Sequence, residues 1–278
     1  MKVKRLIKKN WPIAPTAIVL FIILLPVWWV ISSSFTYKDR LFQTPVSYFP
    51  TPLTFENYRT LFEHMPVGTM LYNTMIVTVF TLIISNILCM LAAYGYSHTR
   101  LKIVKMSLAL LVASSFVPVI STVIPMFQFF TNMGLTDSHH VLIILYVSHF
   151  FPFTIVIITT FMSQLPRSIE EAAAIDGANV FVIIFKILLP LMIPAITTMS
   201  IINFIRSINE FMLPLIFTSR RVVVLSVGLT MIPRIDQFLV PWDLVSALVT
   251  IMIVPIIIFV VIFEKKIMSG LMSGSIKQ

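Results

Sequence analysis

The chain has 278 residues, 58% of them hydrophobic and 11% charged, with a formal net charge of +9 and a mean hydropathy of +0.98. A soluble domain carries about 25% charged residues, so this composition excludes a soluble globule, a disordered chain and a nucleic-acid-binding domain. The single cysteine, Cys89, excludes an intrachain disulfide.

Charge-poor runs locate the predicted spans. They lie at about 12–34, 70–97, 106–130, 140–163, 188–217 and 243–263. Each is near the roughly 20 apolar residues that a helix needs to cross the hydrocarbon core. Backbone in lipid must satisfy its own hydrogen bonds, so the expected fold is an all-α membrane protein of six transmembrane helices, one domain over 1–278. The first run follows Lys2, Lys4, Arg5, Lys8 and Lys9, as a secretory signal would. Its length and the lack of a small-x-small site favour an uncleaved span. With six spans and an inside N-terminus, 13 Lys and Arg fall in inside segments and 6 outside. That bias places both termini in the cytoplasm.

Between the first two spans, Thr44-Pro45 and Phe49-Pro50-Thr51-Pro52 predict irregular chain, after which Thr54 can cap a short helix from Phe55 to Glu63. In the fourth span His149 precedes Pro152 and can satisfy carbonyls that a proline kink frees. The cytoplasmic loop 165–186 follows. Ser168 and Glu171 stand as S-x-x-E, a capping box. Glu170 and Glu171 lie in the first turn, where the helix dipole favours anions. Gly177 supplies a left-handed stop, and Asn179 caps a second helix leading toward Lys186. The expectation is two short helices meeting at a glycine, read either as an ordinary interfacial helix or as an elbow whose alanine face admits another protein's surface.

In the fifth span Asn203, Arg206 and Glu210 share one helical face, with Asn209 beside them. Ionisable residues within a span are functional candidates by default. Arg206 and Glu210, at i and i+4, can pair with each other. The stripe can equally bind a partner helix or line a cavity that meets sugar hydroxyls. The outer segment 219–242 carries Arg220, Arg221 and Arg234, which either face solvent or dock an acidic partner. No nucleophile–base pair supports catalysis, and no His or Cys stands at metal-ligand spacing, so neither a catalytic residue nor a metal site is expected.

The wider spacing carries a resemblance. Glu171-Ala172-Ala173, Gly177, Ile187 and Leu189-Pro190 match the EAA signature of ATP-binding-cassette importer permeases at every fixed position. Four further stretches resemble the carbohydrate-uptake branch: Thr51 to Tyr58, Ala92 to Ser97, Asn209 to Leu215 and the tail Ser269 to Lys277. The chain is most similar to the six-span second permease of maltose-type importers. The resemblance implies a coupling helix at Glu170, Glu171, Ala172, Ala173, Asp176 and Gly177, docked on a separate ATPase subunit, with the tail as a second contact. It implies a heterodimer with a second permease, two ATPase subunits and an extracytoplasmic solute-binding protein facing Arg220, Arg221 and Arg234. The chain has no G-x-x-x-x-G-K-[ST] phosphate loop, so ATP and Mg belong on the partner ATPases and this chain binds no cofactor itself.

The expected role is therefore a transport subunit, not an enzyme, in contact with membrane lipid in a bacterial cytoplasmic membrane. In the related fifth-span motif a Trp precedes the Asn, whereas Ile208 stands here, and Arg206 departs from the pattern. Together these departures leave open an anionic saccharide such as a uronic-acid oligomer. A permease for another solute and a self-contained secondary transporter are the competing readings. The latter would need coupling-ion carboxylates and an inverted repeat, and only Glu210 qualifies as such a carboxylate.

Overall fold

The computed structural model describes residues 13–45, 48–99, 101–233 and 240–275, with side chains described from Pro15 to Glu264. The helices are α1 Ile13–Ser34, α2 Glu56–His64, α3 Val67–His98, α4 Lys102–Ser114, α5 Val119–Asn132 and α6 His139–Met162. They continue with α7 Arg167–Ile175, α8 Val180–Asn209, α9 Met212–Phe217, α10 Leu225–Gly228 and α11 Trp242–Ser275. Among the described residues there is no strand. Five helices are long and apolar enough to cross a membrane, or six if α4 and α5 count as one broken span.

That break corrects the continuous third span expected at 106–130. The axes of α4 and α5 meet at 98°. Pro118 lacks an amide hydrogen and disfavours helical geometry at Val117, so the chain turns at 115–118 and restarts at Val119. The fifth span also lies earlier in the chain than the expected 188–217. Helix α8 ends at Asn209, and Glu210 turns extended, with ψ 122. Near its start α8 widens into π geometry over Ile183–Leu188. Pro190 has no N–H to give the Lys186 carbonyl, and the wider turn absorbs that loss.

Two compact units divide the chain: residues 1–68 with 228–254, and residues 69–227 with 255–278. In the first, the end of α1 is knotted to α2. Asn57 Nδ2 donates to the Ser34 and Thr36 carbonyls, each at 2.9 Å, and the Ser34 and Tyr58 hydroxyls lie 2.8 Å apart. Phe35 packs edge-on against Phe55 at 5.4 Å. Thr54 Oγ1 accepts from Glu56 N–H at 3.1 Å, so the expected short helix forms one residue later than predicted. Asn57 is buried, so Asn57→Ala would leave two buried carbonyls unpaired. The expected loss is about 1–3 kcal/mol, read as faster amide exchange across 34–58.

In the second unit α3, α6 and α8 share one core. Cys89, Met90 and Ala93 meet Ile155, Ile158 and Met162 and, on α8, Ile184, Met192, Ala195 and Met199. Polar pairs fix the register between these apolar faces. Thr78 and Ser207 hydroxyls lie 2.7 Å apart, Asn86 Nδ2 donates to Ser200 Oγ at 2.8 Å, and Asn203 Nδ2 donates to Thr154 Oγ1 at 2.9 Å. Phe204 stacks on Phe259 with centroids 4.0 Å apart. These bonds are specific where apolar contact is not, and they hold one register among helices of similar surface.

Candidate functional site

The loop between α6 and α8 forms an elbow. Helix α7 ends at Ile175, and Gly177 takes φ +82. The Gly177 N–H donates to the Ala174 carbonyl at 3.0 Å and the Ala178 N–H to the Ala173 carbonyl at 2.9 Å. This pair of bonds is the Schellman stop, which favours a residue without Cβ at the left-handed position. Asn179 then caps α8, its Oδ1 accepting from Val182 N–H at 2.9 Å. The predicted capping box does not form. Pro166 holds the cap position of α7 with no side-chain bond, so Ser168 falls inside the first turn rather than before it.

The elbow has two faces. Ala173 is buried against Ile183 and Leu188. Glu170 also turns inward, 9% exposed, with Oε2 2.7 Å from His98 Nε2 at the end of α3. Arg167 Nη2 donates to the neighbouring Ser97 carbonyl at 3.3 Å. Glu171, Ala172, Ala174, Asp176 and Gly177 face outward. Ile175 is also 86% exposed, and Phe181, in the first turn of α8, 66%. Sequence reasoning grouped Glu170 with Glu171 and passed over Ile175, Phe181 and His98. The one sequence signal for the first two was two large apolar side chains in a segment outside any span.

The fifth-span stripe divides. Asn203 is 1% exposed and faces α6, with Oδ1 lacking a hydrogen-bond partner, so it is not at an open surface. Arg206 is half-buried, its guanidinium 4.6 Å from the Phe150 ring centroid, a cation–π contact. The expected Arg206–Glu210 pair is absent among the described ion pairs. The chain leaves helical geometry at Glu210, and Glu210 Oε1 instead caps α9 by accepting from Leu213 N–H at 3.2 Å. Asn209 is exposed and bonds back to the Ile205 carbonyl at 2.9 Å. A cavity of about 190 Å³ opens at the α4–α5 break, lined by Ser114, Thr122, Ser148, His149 and Leu213 among others.

Within the same unit Asp137 anchors the segment 219–222. It takes φ 56. Its Oδ1 accepts from the N–H groups of Ser219 at 3.0 Å and Val222 at 3.1 Å. Its Oδ2 accepts from those of Arg220 at 3.1 Å and Arg221 at 2.9 Å. Partial burial works against the charged carboxylate, but these four backbone donors outweigh it and hold the pKa at about 2. The Arg220 and Arg221 side chains are left exposed. Arg234 lies outside the described residues, as do the side chains of the tail from Ser269. Among the described residues no cluster of His, Cys, Asp or Glu could hold a metal ion.

A family described as "binding-protein-dependent transport system inner membrane component" matches residues 69–269. The chain is 31% identical over 255 residues to the sulfoquinovosyl glycerol transport system permease of Agrobacterium fabrum, covering 91% of this chain and 89% of that one. It is also 31% identical over 261 residues to the trehalose/maltose transport system permease of Thermococcus litoralis, covering 92% of each. In fold it matches a chain of a bacterial ABC transporter that imports the acidic polysaccharide alginate, with a TM-score of 0.77 at 21% identity, over 95% of this chain and 98% of that one.

Proposed function

The chain belongs to the binding-protein-dependent transport system inner membrane components, multi-pass proteins of the cytoplasmic membrane, and from that premise we propose that it is a permease subunit of an ATP-driven oligosaccharide importer. An extracytoplasmic binding protein delivers the sugar, and a second permease completes the pathway. Two ATPase subunits, which carry the ATP and Mg, drive the cycle. The observation that carries the coupling step is the Schellman-stopped elbow. It exposes Glu171, Ala172 and Ile175 while Ala173 and Glu170 seat it on the transmembrane core. A push on its outer face passes through the buried face into α3 and α8. Both termini face the cytoplasm in this arrangement, on the same side as the elbow. Arg220 and Arg221 meet the binding protein on the opposite side.

The sugar on this reading is anionic. Arg206 is half-buried with no carboxylate in ion-pair contact among the described residues. A buried unpaired cation is costly, and a sugar acid in the pathway would compensate it. The relative that carries sulfoquinovosyl glycerol, by its name, handles a sulfonated glycoside. The trehalose/maltose relative favours a second reading, a neutral disaccharide, in which Arg206 only packs on Phe150.

The test is sugar-stimulated ATP hydrolysis and uptake by the complete complex with its binding protein in lipid vesicles. Neutral and acidic oligosaccharides are compared in wild type, Arg206→Gln and Glu171→Ala. Arg206→Gln is expected to lower acidic-sugar uptake about tenfold, since hydrogen bonds to charged groups contribute about 1.5–3 kcal/mol. Stimulation by neutral sugars alone would select the second reading. Glu171→Ala is expected to uncouple hydrolysis from uptake for every sugar.

A further inference from the structure

A cavity of about 400 Å³ opens in the first unit between the end of α1 and the start of α11. Its walls include Trp29 and Ser33 of α1, Phe42 of the turn that follows, and Trp242, Ser246 and Val249 of α11. Trp29 lies near the end of its helix and Trp242 at the first residue of its own, where aromatic side chains mark the membrane–water interface. Two hydroxyls interrupt the apolar wall. Ser33 and Ser246 are each 5% exposed, and among the described residues neither Oγ has a hydrogen-bond partner. A serine or threonine in a helix ordinarily donates to a carbonyl three or four residues back. Ser34 does so to Ile31 at 2.6 Å, Thr36 to Ser32 at 2.8 Å and Thr250 to Ser246 at 2.7 Å. Ser33 and Ser246, beside them in the chain, do not. The indole N–H groups of Trp29 and Trp242 also lack a partner among the described residues, and an indole donates without accepting.

We infer that this cavity is a phospholipid site. One acyl chain enters between α1 and α11, and the ester carbonyls at the head of the chains accept from Ser33 and Ser246. The lining asks for a ligand that is apolar along most of its length and brings acceptors without donors. A diacyl phospholipid meets both conditions, because its esters hold carbonyls that no donor of their own satisfies. A helix of another subunit fits less well, since its carbonyls are already paired within the helix. A sugar fits less well, since its own hydroxyl donors would face hydrocarbon. Charge agrees at one edge of the cavity. The Leu41 N–H donates to the Lys38 carbonyl at 3.3 Å, which sets Lys38 one turn from a residue of the wall. Lys38, Asp39 and Arg40 are all exposed, so this turn carries a net positive charge. Arg40 Nη1 donates to the Thr51 carbonyl at 2.7 Å, and Lys38 forms no ion pair among the described residues. The lipid phosphate lies toward Lys38.

The experiment titrates the complete complex, purified in detergent and stripped of lipid, with dioleoyl phosphatidylglycerol and with its diether analogue. Native mass spectrometry counts the lipids bound. Only this chain is varied, so lipids held by other subunits contribute a constant background. Wild type is expected to bind one phospholipid more tightly than the background. Ser33→Ala with Ser246→Ala removes both donors without adding bulk and is expected to weaken that lipid about tenfold, each net hydrogen bond contributing a factor of about two to ten. The diether analogue lacks the ester carbonyls and is expected to bind wild type about tenfold more weakly than the diester. In the double variant the two lipids should bind alike. Ser246→Leu fills the cavity and is expected to abolish the tight lipid, with assembly checked by co-purification. Thr160→Ala, an exposed residue on α6 whose hydroxyl donates to the Val156 carbonyl, should leave it unchanged. Equal affinity of wild type and the double alanine variant overturns the site, and so does a wild type that takes diester and diether equally. A wild-type complex without the tight lipid, in which Phe42→Cys cross-links to the second permease, overturns it in favour of a helix of that subunit.

Discussion

Valine in place of Gly177 is expected to lower sugar import by the assembled transporter about tenfold. Gly177 sits at φ +82, where a side chain with a Cβ costs about 1–2 kcal/mol, close to a factor of ten in the population of the native elbow. Nothing lies within 4 Å of the place a Cβ would occupy, so the cost is in the backbone and not in a clash within the chain. The substitutions are therefore graded by tolerance of left-handed geometry. Asparagine, which visits that region readily, is expected to retain most of the import; alanine falls between; valine, branched at Cβ, is worst. Uptake measured against ATP hydrolysis in vesicles checks the order. An equal loss for all three would mean that bulk against the docked partner decides the effect, not the turn.

Asp137→Ala is expected to release the outer segment and weaken docking of the binding protein. Its carboxylate gathers the N–H groups of four successive residues, Ser219 to Val222, and its own N–H donates to the Phe217 carbonyl at 2.9 Å. Alanine removes every side-chain acceptor and disfavours the left-handed φ of 56. With hydrogen bonds to a charged group worth about 1.5–3 kcal/mol, amide exchange at 219–222 should speed up by about tenfold to a hundredfold. Asparagine is the informative intermediate: it keeps the φ preference and one oxygen for Ser219 and Val222, but turns an amide group toward the N–H groups of Arg220 and Arg221. The pH dependence has a definite sign. Folding lowers the carboxyl to about 2, so the clamp is complete above the ordinary carboxylate range and is lost only as pH falls through about 2. At any physiological pH it is fully charged. The functional readout is the binding-protein concentration that half-stimulates ATP hydrolysis, which should rise while basal hydrolysis stays unchanged.

Most of the helical framework was legible in the chain because its determinants are local. Charge-free runs of membrane length mark spans wherever they occur, and α1, α3, α6, α8 and α11 follow them. Gly177 and Asn179 act on their own backbone neighbours, so the elbow's turn and the start of α8 came out as expected. The third span did not, although Pro118 was visible. A proline within an apolar run is compatible with either a kink or a break, and composition does not distinguish a bend of 98° from a gentle one. The Ser168 capping box failed for a similar reason. Pro166 two residues earlier is also a good helix start, and the helix begins there.

What the sequence determined by itself is the class of the molecule, most of its spans and the left-handed stop, because each depends on the composition or geometry of consecutive residues. What tertiary structure decided is which of two adjacent glutamates turns inward, what receives it, and what an aspartate in a short connection holds. Glu170 and Glu171 are chemically identical. Their roles separate only because α7 packs with Ala173 against α8, which points Glu170 at His98 on another helix. Asp137 finds its four donors more than eighty positions along the chain, and Arg206 finds a phenyl ring on α6 in place of the carboxylate one turn away. Partners brought together across the fold depend on helix packing and on where a helix ends, and neither leaves a periodic trace in the residues themselves.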